Sequence, residues 1–283
     1  MTESAATLEL ISWHSPTVGE EFVNSLREFG FAALCDHPLD MQRVERIYKN
    51  WRAFFASGEA ADFTMDPKKQ DGFFSVSQAE SAKGFVERDF KEYYQYYPWG
   101  RCPEALLADI STHYRDTVAF ATELLCFVER HSPEHLRPRF SEPLSAMIKE
   151  SGQSMLRILH YPPVEPGRKV LRAAPHEDIN LLTILPAADG PGLEIRRQSG
   201  EWLAVPNRPE QVLVNIGDML QEITDGWFPS TTHQVATPTQ ESLTAGRMSL
   251  PLFLHPRPEV VLSDRHTAGS YLDERLRELG VVV

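Results

Sequence analysis

Apolar residues change their spacing about halfway along the chain. In the first half they recur every three or four positions, as on one face of a helix; later they come in short runs separated by turn residues, as in strands. Phe22, Leu26 and Phe29 mark one apolar face and Gly30 supplies a stop, which predicts a short helix and then a buried strand over 31–35. Val44, Ile47, Tyr48, Trp51, Phe54 and Phe55 mark a second amphipathic helix with Asp40 as its cap, and its aromatic stripe is read as core. The longest helix is predicted over 103–130, through Leu107, Ile110, Tyr114, Val118, Ala121, Leu125 and Val128, with a short one over 145–150. His113, His131 and His135 fall on that helix or just after it with no carboxylate at ligand spacing, and are read as surface residues.

From residue 153 onward, strands are expected at 155–160, 181–185, 193–196, 212–216, 233–235 and 248–255, with turns at 189–192, 199–200 and 217–218. The expected class is α+β with a mainly β core, a jelly-roll barrel or double-stranded β-helix preceded by a mixed N-terminal region and flanked by helices. Its organisation is read as an N-terminal region over 1–100, scaffold helices over 101–152, the barrel over 153–256 and a helical tail over 257–283. Tyr271, Leu272, Leu276 and Leu279 make the tail helical, lying outside the barrel or over its mouth.

Composition narrows the partners. A chain of 283 residues with 42% hydrophobic and 24% charged residues is an ordinary globular protein, large enough to enclose a deep pocket. Its net charge of −12, with no cluster of Lys and Arg, argues against nucleic acid and leaves a small-molecule substrate as the expected partner. The absence of a basic start or a run of about 20 apolar residues implies no membrane partner and a cytoplasmic protein. Cys35, Cys102 and Cys126 are far apart, fit neither a disulfide framework nor a zinc knuckle, and are read as reduced and buried. Nothing in the composition sets the oligomeric state.

The candidate chemistry lies in His176, Glu177, Asp178. In extended backbone the first and third side chains share a face, so an imidazole and a carboxylate meet one cavity. Two histidines and a carboxylate form the facial triad suited to non-haem Fe(II), and His233, on a later strand, is the candidate third ligand. Arg247 and Ser249 repeat the i, i+2 spacing, so a guanidinium fork and a hydroxyl can grip one carboxylate.

The ordered set of HxD, a distal His and RxS resembles the isopenicillin N synthase-like branch of the Fe(II) and 2-oxoglutarate dependent oxygenases. The resemblance extends over most of the chain. Phe29, Gly30, Phe31 with Asp36, His37, Pro38 is similar to the family's "GF...NHGI" segment. Gly84 with Asp89, Phe90, Lys91, Glu92, Tyr93 is similar to "KG...DxKE", and Leu156, Arg157 with His160, Tyr161, Pro162, Pro163 to "LR...YPP". Asn215, Ile216, Gly217, Asp218 with Thr224, Asp225, Gly226 is similar to "NIGD...TNG". The resemblance implies Fe(II) as cofactor, 2-oxoglutarate and O2 as cosubstrates, and ascorbate as an auxiliary reductant. It also implies decarboxylation of 2-oxoglutarate to succinate and carbon dioxide, coupled to oxidation of a small molecule, most simply its hydroxylation. Arg247 would then pair with the far carboxylate of 2-oxoglutarate, with Ser249 and Tyr161 donating hydrogen bonds to it. The aromatic segment around Tyr93 would border the mouth, with Phe74, Arg88 and Tyr93 as candidate substrate contacts.

The chain departs from the pattern at Leu159, where many plant relatives carry Asn. His160 beside Tyr161 is turned away from the site by strand alternation. Asp178 keeps the carboxylate that related halogenases lack, which disfavours halogenation. Two alternatives stay open: an Fe(II) oxidase of the same fold that uses no 2-oxoglutarate, and a non-catalytic jelly-roll binding protein.

Overall fold

The computed structural model describes residues 7–78, 89–165, 170, 172–236 and 246–280. Strand β1 (Leu10–Ser12) leads into helix α1 (Val18–Phe29), which ends where Gly30 takes a left-handed conformation. Only glycine fits there, because a Cβ would lie 2.1 Å from the Thr231 hydroxyl and 2.7 Å from the Pro229 carbonyl oxygen. After β2 (Phe31–Cys35), helix α2 (Met41–Ser57) starts at Asp40, whose side chain accepts the Arg43 N–H. The expected stripe from Val44 to Phe55 is buried, with Trp51 at its centre.

Strands β3 (Gly72–Phe74) and β4 (Glu92–Tyr96) precede the long helix α3 (Glu104–His131) and the single turn α4 (Leu144–Met147). Two expectations for α3 need correcting. Its buried stripe begins only at Ile110, so Leu107 lies on the unpacked first turn and is exposed. His113 is not a surface residue. It falls one turn from Ile110 and Thr117 on the packed face, and burial pushes its imidazole down to about 4. His131 and His135 are exposed as expected.

The remaining strands are β5 (Met155–Tyr161), β6 (Ala173–His176), β7 (Leu182–Pro186), β8 (Leu193–Arg196), β9 (Trp202–Ala204) and β10 (Val212–Ile216). They are followed by helix α5 (Asp218–Ile223), then β11 (His233–Val235), β12 (Arg247–Ser249) and β13 (Leu252–Leu254), and helix α6 (Ala268–Glu278) closes the order. The turn expected at 217–218 is instead the start of α5. The run expected over 248–255 is broken into β12 and β13 around Pro251, which has no N–H to give to a ladder. The cysteines are unpaired and half-buried rather than fully buried.

Two sheets face each other. The larger runs β1-β2-β10-β7-β13-β5-β4-β3 with β12 also on β5, and the smaller runs β6-β11-β8-β9. All pairs are antiparallel except β1 with β2. Alternation along β5 shows how the layers divide. Leu156 and Ile158 join the main core formed with the helices, while Leu159 and Tyr161 face the smaller sheet. The space between the sheets is lined by two separate apolar clusters, one with Phe31, Ile195 and Leu213, the other with Phe74, Tyr93, Leu159, Tyr161, Ala173 and Val235. Among the described residues no helix is long and apolar enough to cross a membrane.

Candidate metal centre

Antiparallel pairing of β6 with β11 sets His176 opposite His233, bringing together side chains far apart in sequence. Their ring centroids are 4.4 Å apart. Asp178 follows the end of β6 and turns its carboxylate toward both rings. Its Oδ1 lies 4.0 Å from Nε2 of His176 and 3.8 Å from Nε2 of His233, and the three candidate ligand atoms fall within 4.8 Å of one another.

Neighbouring groups leave one ligand atom free on each residue. His176 Nδ1 donates to the Ala174 carbonyl at 2.7 Å and His233 Nδ1 to the Thr231 carbonyl at 3.1 Å, so both rings present Nε2 with its lone pair. On Asp178, Oδ2 accepts from the Thr183 hydroxyl at 2.5 Å and from Asn215 Nδ2 at 2.7 Å, which leaves Oδ1 facing the imidazoles. The Asp178 backbone is held too, since its carbonyl accepts the Asp218 N–H at 2.7 Å. That approach requires Gly217, where a Cβ would lie 2.1 Å from the Asn180 carbonyl oxygen.

Charge states suit a cation. His176 is half-buried, and the hydration its ring loses there, then the neighbouring His233, push it down to about 4, so the ring is neutral near pH 7. Burial raises the Asp178 carboxyl, but the two imidazoles and the bonds from Thr183 and Asn215 outweigh it and hold the group below the usual carboxylate range. Two imidazoles offering Nε2 and one carboxylate offering Oδ1, converging on one point, could hold a divalent transition metal and leave positions open.

The second predicted constellation lies on the neighbouring strands. β12 pairs with β5 so that Arg247 sits opposite Tyr161 and Ser249 opposite Leu159. The Arg247 guanidinium is buried and lies 5.2 Å from the centre of the Tyr161 ring. Its Nε donates to the Gly190 carbonyl at 3.0 Å, while Nη1 is buried with no hydrogen-bond partner among the described residues. A guanidinium so placed is costly unless an anion meets it.

Comparison with known proteins agrees with this geometry. Residues 152–256 match the family model of the 2OG-Fe(II) oxygenase superfamily. The solved structure of a Shewanella oneidensis protein assigned as an oxygenase is 48% identical, with a TM-score of 0.89, covering 98% of this chain and 100% of that one. The chain belongs to the 2OG-Fe(II) oxygenase superfamily. Gibberellin 2-beta-dioxygenase of Phaseolus coccineus is 26% identical over 268 residues, covering 87% of this chain and 78% of the relative. Isopenicillin N synthase of Streptomyces clavuligerus is 23% identical over 303 residues, covering 93% and 89%. The protein is therefore an Fe(II)- and 2-oxoglutarate-dependent oxygenase with a jelly-roll core.

In this oxygenase the candidate substrate residues fare differently. Phe74 and Tyr93 are buried and stacked on each other, with ring centroids 4.6 Å apart, in the apolar cluster that includes Tyr161. Arg88 lies outside the described residues. His160 faces away, bonded through Nδ1 to Glu92 at 2.8 Å and stacked on Phe55. Thr183 and Asn215 support the site without standing out in the sequence as site residues, although a polar residue inside a buried apolar run needs a partner. Arg172, a buried guanidinium 6.0 Å from the centre of the same Tyr161 ring, is equally silent in the sequence.

Proposed function

We propose that His176, Asp178 and His233 hold the ferrous ion and that Arg247, Ser249 and Tyr161 hold the far carboxylate of 2-oxoglutarate. One observation carries the metal assignment. The bonds at Nδ1 of each histidine and at Oδ2 of Asp178 select Nε2, Nε2 and Oδ1 as the three converging donors. Bound there, iron with 2-oxoglutarate and dioxygen supplies the oxidation, in which 2-oxoglutarate becomes succinate and carbon dioxide and one oxygen atom is left for the substrate. The protein residues bind and orient. Arg247 contributes a buried fork whose Nη1 is free to meet a carboxylate oxygen, and the opposed Tyr161 brings its phenol beside it.

The substrate in this reading is a small molecule and the outcome hydroxylation, with Phe74 and Tyr93 forming an apolar wall for it. The name of the Phaseolus relative specifies a gibberellin, which supports a small-molecule substrate. Unpaired cysteines agree with a cytoplasmic enzyme. The buried Nη1 of Arg247, with no hydrogen-bond partner among the described residues, supports this placement of the cosubstrate. The test is succinate release from 2-oxoglutarate with Fe(II) and no added substrate. Slow uncoupled release that Arg247→Met abolishes supports the proposal, whereas release that Arg247→Met leaves unchanged contradicts the role given to Arg247.

A further inference from the structure

Asp89 and Lys91 belong to none of the candidate ligands, yet their hydrogen bonds lead to one of them. Both side chains are buried, and Lys91 Nζ donates to Asp89 Oδ2 at 2.7 Å. A buried ion pair is seldom explained by stability, since apolar replacements of similar size are often as good or better, so its position calls for a local reason. The other oxygen, Asp89 Oδ1, accepts the backbone N–H of Ala174 at 3.0 Å. The carbonyl of the same residue accepts His176 Nδ1 at 2.7 Å. Ala174 is thus gripped on its N–H by Asp89 and steers His176 with its C=O.

The two histidines need this help unequally. The His233 side chain is 10% exposed and meets the edge of Phe31 at a centroid distance of 5.4 Å, so packing already fixes its ring. The His176 side chain is 38% exposed. With less packing around it, the ring depends more on its Nδ1 bond for orientation. We infer that Asp89 is a positioning residue for the metal centre: braced by Lys91, its carboxylate pins the Ala174 backbone, and the pinned Ala174 carbonyl sets the plane and tautomer of His176. The inference rests on the reading of His176 as a metal ligand.

The test uses Co(II) as a probe on the metal-free full chain, with affinity from calorimetry and ligand geometry from the visible absorption band. Asp89→Ala should weaken Co(II) binding about 10- to 100-fold, the range expected when a group supporting a ligand is lost, and should change the band. The double variant Asp89→Asn with Lys91→Met keeps an oxygen to accept the Ala174 N–H and leaves no orphaned charge. It should return to within about 3-fold of the parent, and it carries the test if Asp89→Ala does not fold. Parental affinity and band in folded Asp89→Ala, or a loss of affinity in the double variant as large as that in His176→Ala, overturns the inference. Parental Co(II) affinity in His176→Ala overturns the ligand assignment, and the inference with it.

Discussion

At the metal end of the barrel interior, each candidate ligand is held by directional bonds: Ala174 and Thr231 carbonyls on the histidines, Thr183 and Asn215 on Asp178. Nearby, the wall containing Phe74, Tyr93 and Leu159 holds largely by ring stacking and apolar contact, with the Arg157 guanidinium over the Tyr93 ring at 4.5 Å. Directional bonds fix an atom's position and are costly to break singly, whereas stacked rings tolerate exchange for other apolar shapes. In the proposed reading, the difference separates a fixed oxidation chemistry from an adjustable fit to substrate. It implies that substitutions at the two places should fail in different ways.

The largest effect should come from the polar end. Arg247→Met removes the guanidinium proposed to meet the far carboxylate and should raise the KM for 2-oxoglutarate by about 100-fold or more, as for truncation of one partner of a buried charge pair. Initial rates of succinate formation against 2-oxoglutarate concentration measure it, and an unchanged KM would contradict the role of Arg247. Asn215→Leu removes one of the two donors to Asp178 Oδ2 and should weaken Co(II) binding about 10-fold or more while the chain stays folded. If calorimetry finds the parental affinity, the carboxylate is not held in the way proposed.

Acid should separate the regions next. Burial pushes His113 and His255 each down to about 4. Between that value and the ordinary histidine value of 6.5, the unfolded chain takes up protons that the folded chain refuses. Stability of the metal-free protein should therefore fall as pH drops through that window. Asp178, whose carboxyl lies below its ordinary 3.8, loses its contribution only at lower pH. Urea midpoints at pH 7.5 and 5 check this, and equal midpoints would show that these imidazoles are not buried as described.

The smallest effect belongs to the aromatic wall. Phe74→Leu should cost about 1 kcal/mol, roughly the worth of one aromatic pair, and leave Co(II) affinity unchanged. It should shift which small molecules stimulate succinate release. A loss of metal affinity there would erase the distinction between the two regions.

How much of this was legible from the chain depends on whether the deciding contact is local. The capped helix at Asp40, the stop at Gly30 and the pairing of His176 with Asp178 follow from neighbours in sequence, and all appear as read. His233 also joins the pair, but the β6–β11 register that brings it there is a long-range fact that spacing alone cannot supply. His113 shows the opposite failure: its spacing from Ile110 already put it on the buried face, but it was read as a surface residue for want of a carboxylate at ligand spacing. Thr183 and Asn215 stood as lone polar residues in apolar runs, a sign that they needed partners but not which. Asp89 and Lys91 carried no such sign, because their meaning comes from Ala174 on a distant strand.

The most direct measurement is ferrous-ion uptake, under nitrogen, by the parent and by a protein with His176→Ala and His233→Ala together. The parent should bind about one ion per chain, and the double variant, still folded by circular dichroism, should bind none at concentrations that saturate the parent. Equal uptake by the two proteins would mean that the metal sits elsewhere and that the centre described here is not the site of oxidation.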